Sequence, residues 1–106
     1  MSTSKKVLPA PTVRAAINLP DLKEISETLE QVYVVITGLA VGTQVVAYFH
    51  LDERHPLDKE VVKDEKPLAL PLTKNWYRGK KGKKAEIYYE VRPGEVSLSL
   101  EIPIVA

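Results

Sequence analysis

The stretch Glu95-Val96-Ser97-Leu98-Ser99-Leu100-Glu101-Ile102-Pro103-Ile104-Val105 alternates along almost its whole length. Val96, Leu98, Leu100, Ile102 and Ile104 fall on one side of an extended chain, and Ser97, Ser99, Glu101, Pro103 and Val105 on the other. A period of two belongs to a strand with one face buried and one in water. The same period recurs upstream. In Thr43–Leu51, Val45, Ala47, Phe49 and Leu51 share the apolar face, and Gln44, Val46, Tyr48 and His50 the wet one. In Ala85–Val91, Ala85, Ile87, Tyr89 and Val91 oppose Glu86, Tyr88 and Glu90. Gln31–Thr37 is rich in β-branched and aromatic residues and stops at Gly38. Pro67–Thr73 puts Leu68, Leu70 and Leu72 on one face, and Pro71, with no N–H to give a ladder, makes it an edge strand. Shorter strands are expected at Thr12–Ile17 and at Glu60–Lys63, where lysines guard an edge. About seven short strands, with turn signals roughly every ten residues, predict an all-β antiparallel sandwich. A small barrel is the competing architecture, and periodicity does not separate the two. Val32, Val34, Ile36, Val45, Phe49, Ile87, Tyr89, Leu98 and Leu100 are the expected core.

Between the strands the signals change. Residues 1–10 read as an extended tail or linker, because Pro9 and Pro11 favour a polyproline-like lead-in, and residues 11–106 as a single domain. Leu22, Ile25 and Leu29 recur at helical spacing behind Asn18-Leu19-Pro20-Asp21, which predicts a short helical turn near residues 21–30. The alternative is an irregular connection that drops the same three side chains onto the core edge. Asp52–Pro56 is expected to be a charged loop, and Pro93-Gly94 a turn.

The 106 residues make one ordinary domain, and 44% hydrophobic with 27% charged residues is a globular composition. No cysteine is present, which excludes disulfides, thiolate metal sites, iron–sulfur clusters and a cysteine nucleophile. A formal charge of +1 supplies no global field for nucleic acid or anionic membrane. No apolar run approaches the ~18 residues of a membrane span. Met1–Val7 carries Lys5 and Lys6 without an apolar stretch, so no secretory signal is expected there.

Read in order, Val32-x-Val34-x-Ile36-x-Gly38-Leu39-x-Val41-Gly42-Thr43-x-Val45, then Pro67–Pro71, then Gly82-Lys83-Lys84-Ala85-x-Ile87-x-Tyr89-Glu90-Val91, then Ser97-x-Ser99-Leu100-x-Ile102 resemble a known unit. It is the Ig-like repeat module of large Gram-negative bacterial surface and secreted proteins. The likeness runs from about residue 9 to residue 104. It implies an Ig-like sandwich acting as a spacer or adhesion unit, with neighbouring modules or a surface protein or glycan as partners, and no catalytic residue to carry over. Phe49 stands where the family usually has tryptophan, and the loop from Arg78 to Lys84 is more basic than the family pattern. A unit of a larger protein would sit outside the cell or on its surface. A complete chain of this length would be cytoplasmic.

That loop is the most distinctive local feature. Arg78, Lys80, Lys81, Lys83 and Lys84 surround Gly79 and Gly82, with Asn75, Trp76 and Tyr77 just before them. One reading is a mobile basic loop that grips a glycan or polyanion, with Trp76 and Tyr77 stacking on a ring and Arg78, Lys80, Lys81, Lys83 and Lys84 meeting anionic groups. The other is a solvated loop, with Trp76 capping the open end of the sandwich. His50 and His55 are read as a wet-face residue and a loop residue, and no metal or cofactor is expected. The chain has no nucleophile elbow, phosphate loop, dinucleotide fingerprint or zinc-helix motif, so no enzyme activity is expected. A third reading is an adaptor that accepts a partner's strand at the Glu60–Lys63 edge.

Overall fold

The two longest alternating runs lie side by side as the spine of a computed structural model, which describes residues 8–92 and 94–106. The strands are β1 (Thr12–Arg14), β2 (Ile25–Ser26), β3 (Tyr33–Ile36), β4 (Gln44–Leu51), β5 (Glu53–Pro56), β6 (Glu60–Val61), β7 (Leu68–Pro71), β8 (Lys84–Val91), β9 (Glu95–Val96) and β10 (Leu100–Val105). One 3-10 turn, Lys74–Trp76, precedes β8. They form two sheets, β1-β3-β7 and β2-β10-β8-β4-β5, with β6 continuing the edge beside β4 and β9 the edge beside β8. The protein is therefore an all-β sandwich. Its pairings among the described residues are antiparallel except one, β2 with β10.

The core follows from the register of β4 and β8. Val45 lies opposite Val91, Ala47 opposite Tyr89 and Phe49 opposite Ile87. All six are buried, and they form one cluster with Val13, Val34, Ile36, Leu70 and Leu72 of the smaller sheet and its margins. Each large apolar side chain so buried contributes roughly 1.5–3 kcal/mol. As expected, Pro71 ends an edge strand, since β7 is the last strand of its sheet.

Several expectations need correction. No helix forms near residues 21–30. Ile25 is instead fully buried in β2, opposite Ile104, and Leu22 and Leu29 pack against the core from irregular backbone. A short isolated helix has a costly nucleus, whereas β2 completes the open edge of β10. Glu27 N–H extends that edge by donating to Val105 O at 2.7 Å. The Thr12–Ile17 strand stops at Arg14, which faces Tyr33. Asp52–Pro56 is not a loop: Asp52 turns with φ 65°, and β5 folds back on β4. Of the lead-in, Met1–Val7 lies outside the described residues, but Leu8 packs on the core and accepts a hydrogen bond from Leu98 N–H at 3.0 Å. Pro93 also lies outside them. Its neighbour Gly94 closes the turn, donating to Val91 O at 2.7 Å.

The C-terminal run does not keep one phase. Val96 faces Glu90, yet Leu100 faces Ile87. Between these rungs β8 uses Tyr88 and Tyr89, while the other strand uses Ser97, Leu98 and Ser99. The extra residue is a β-bulge, and it shifts the side-chain pattern by one. Leu100, Ile102 and Ile104 therefore turn inward, whereas Val96 and Leu98 are 56% and 57% exposed. Leu98 leaves the expected core, and Ser97 is buried in its place. Its hydroxyl accepts from Tyr89 N–H at 2.9 Å and donates to Leu98 O at 2.9 Å. A matching bulge lies on the other flank, where Leu57, Asp58 and Lys59 oppose Val46 and Ala47. It drives Leu57 into the core, with its N–H on Ala47 O at 2.8 Å.

The bulge at Ser97 depends on its hydroxyl. Ser97→Ala strands the buried Tyr89 N–H, so the expected loss of unfolding free energy in urea is about 1–3 kcal/mol. Ser99→Ala, at an exposed position of the same bulge, is expected to leave the urea midpoint unchanged.

Candidate functional site

The segment from Lys74 to Lys84 is ordered by its own backbone. Tyr77 and Arg78 N–H groups both donate to Lys74 O, at 3.2 and 3.0 Å. Two tight turns follow. Lys80 N–H reaches Tyr77 O at 3.2 Å, and Lys83 N–H reaches Lys80 O at 3.0 Å. Their third positions are Gly79 and Gly82, at φ 73° and 90°, which a side chain would strain. Gly82 N–H donates to Ile104 O at 2.9 Å and Ile104 N–H to Lys83 O at 2.8 Å, so the second turn is fastened to β10. These backbone hydrogen bonds give the basic segment a defined turn structure.

Its charges are partly spent inside the fold. The ammonium groups of Lys80 and Lys83 each lie 2.8 Å from the carboxylate of Asp52, at the β4–β5 turn. Hydrogen bonds from Lys80 and then Lys83 pull the Asp52 pKa down to about 2. Lys74 pairs with Glu30 at 2.9 Å, and Gly79 N–H donates to the Glu27 carboxylate at 3.0 Å. Among the described residues, Arg78, Lys81 and Lys84 make no ion pair, and all three are exposed.

The aromatic pair splits. Tyr77 is fully buried, and its hydroxyl donates to Leu29 O at 2.7 Å, tying positions 48 residues apart. Burial raises its pKa. Tyr77 is thus a core residue with no face to offer a ligand, which corrects its place in the expected site. Trp76 is half-buried. Its ring lies nearly parallel to His55, 4.6 Å between centroids, and to Phe49 at 6.0 Å. It caps the sandwich where β5 and β7 leave the edges open.

Open clefts flank Trp76. One, of about 300 Å³, is lined by Leu51, Asp52, Glu53, His55, Asn75 and Lys80. The other, of about 310 Å³, runs along Gln31, Pro56, Leu57, Asp58, Leu72 and Thr73. No family model matches the chain, and neither does any curated protein or solved structure.

Sequence reasoning missed His55 as the partner of Trp76 and Asp52 as the anchor of the basic turns. Once Glu53–Pro56 is a strand, His55 lies opposite Phe49 and faces inward. His50 lies on the outer face, exposed and 3.8 Å from Glu86, so the two histidines cannot share a ligand. Also unanticipated is a patch on that outer face. Tyr48 stacks on Tyr88 at 5.2 Å, and the Arg54 guanidinium sits 5.0 Å from the Tyr48 ring. This contact spends the aromatic faces on each other and on a cation.

Because its folded pKa is depressed, Asp52 contributes stability that is complete above the ordinary carboxylate value and lost as pH falls through about 2. A melting-temperature series is expected to show the native chain losing ground to Asp52→Asn across that acidic window. The difference shrinks in high salt, because the group is exposed. Parallel curves would show that the clamp holds no weight in solution.

Proposed function

We propose that this chain is a non-catalytic Ig-like module, a spacer or interaction unit within a larger surface or secreted protein. The observation that carries the reading is the way the strands divide. In a constant-type Ig sandwich the first, second, fourth and fifth strands share one sheet, and the third, sixth and seventh share the other, which variable-type domains extend with two more strands. Here β1, β3 and β7 correspond to the first, second and fifth strands, and among the described residues no strand stands for the fourth. β4, β8 and the broken last strand β9–β10 make the other sheet, extended by β5 and β6. The N-terminal part of the chain serves both sheets, since β1 joins β3 while β2 runs parallel to β10. Phe49, fully buried on β4, takes the central aromatic position.

The polar groups favour a structural role. Asp52 is held ionised far below neutral pH, so it is unsuited to general-acid work. The Ser97 hydroxyl is committed to β8. The polyanion reading is left with Arg78, Lys81 and Lys84, because Lys80 and Lys83 hold Asp52 and Tyr77 is buried. We therefore place it second.

An immunoblot of fractionated producing cells, with an antibody raised against this domain, tests the module reading. The expected band lies far above 11.8 kDa, at the cell surface or in the medium. A band near that mass inside the cell would sink it.

A further inference from the structure

Trp76, the only tryptophan of the chain, lines both open clefts at the edge of the sandwich. Its ring is held flat by stacking on His55, with Phe49 beyond. Trp76 is partly buried and lies between hollows of about 300 and 310 Å³. Such a flat, fixed aromatic surface loses little conformational entropy when a ligand settles on it.

The groups around it narrow the ligand class. Asn75 and Glu53 stand on one side, and Asp58, Thr73 and Gln31 on the other. All carry short or planar hydrogen-bonding groups. The Gln31 amide nitrogen reaches Val32 O and Leu72 O at 3.3 and 3.5 Å, which leaves its carbonyl oxygen as an acceptor. The charge of Asp52 is met by Lys80 and Lys83. With two lysines on Asp52, the first cleft is close to neutral once Glu53 is counted, and Asp58 is the charged residue of the second, so neither offers an anionic ligand a surplus of positive charge. A molecule with an apolar face for the indole and hydroxyls around its rim meets both conditions.

We propose that Trp76 is the stacking platform of a binding site for a neutral pyranose sugar. Asn75 and Glu53 take hydroxyls on one side of the ring, and Gln31 and Asp58 on the other. The proposal goes beyond the module reading and stands whether or not the chain belongs to a longer protein. It moves the site away from the cations of residues 78–84 and onto the two clefts. Because both are open to solvent, affinity is expected to be weak, on the order of millimolar.

The test is a titration of the whole chain with the methyl pyranosides of glucose, galactose and mannose. Binding is read from the emission of Trp76 and from backbone amide shifts. The expected result is a saturable change with at least one of the three that added sodium chloride does not alter. Trp76→Ala should weaken it by about tenfold, the worth of one stacked ring. Asn75→Ala and Asp58→Ala, at exposed positions, should weaken it while the melting temperature holds, and they carry the test if Trp76→Ala fails to fold. Lys81→Glu should have no effect. The proposal is overturned if none of the three sugars gives a saturable change, or if Trp76→Ala leaves the affinity read from the amide shifts unchanged. It is equally overturned if only heparin oligosaccharides or tetramethylammonium produce a saturable change.

Discussion

The antiparallel register of β4 against β8 is the constraint on which the rest of the molecule depends. It sets Val45, Ala47, Phe49 and Leu51 on the same side as Ala85, Ile87, Tyr89 and Val91. A slip of one residue would turn that whole set to solvent. Both neighbours of the pair are broken strands, and both break beside the Ala47–Tyr89 rung. An extra residue on each flank sharpens the local twist and re-aims one side chain, Leu57 on one side and Ser97 on the other. The bulges let a short spine carry four flanking segments.

The same spine decides what the basic segment can do. β4 ends at Leu51, and Asp52 turns the chain beneath the Lys80–Lys83 turns. Two lysines on one carboxylate make a local clamp, exposed and open to screening by salt. What composition presents as a cationic tether is in the fold a brace between the β4–β5 hairpin and the entry to β8. The feature with spare surface is Trp76, supported from below by a histidine that the hairpin swings inward.

Legibility followed the range of the interactions. The faces of β4 and β8 could be read directly, because a period of two is a property of neighbouring residues. The edge position of β7 was readable from Pro71 for a similar reason. The spacing of Leu22, Ile25 and Leu29 misled, since it suits a helix but is equally met by irregular chain pinned at Ile25 by β10. At the site, Trp76 and the cations could be picked out by type. Which of them face solvent could not, because Tyr77 is claimed by Leu29 and Lys80 and Lys83 by Asp52.

By itself, then, the order of residues determined an all-β chain, the inward faces of its two longest strands and the turns that need glycine. These rest on local sterics and on side-chain alternation along one strand. Only the tertiary structure decided that β2 closes the last edge, that the C-terminal run changes phase at Ser97, and that His55 supports Trp76. Each of these is a contact between segments far apart in the chain. Its outcome is set by which strand edge is left unpaired and which buried donor needs a partner, and no pattern within a single segment records that.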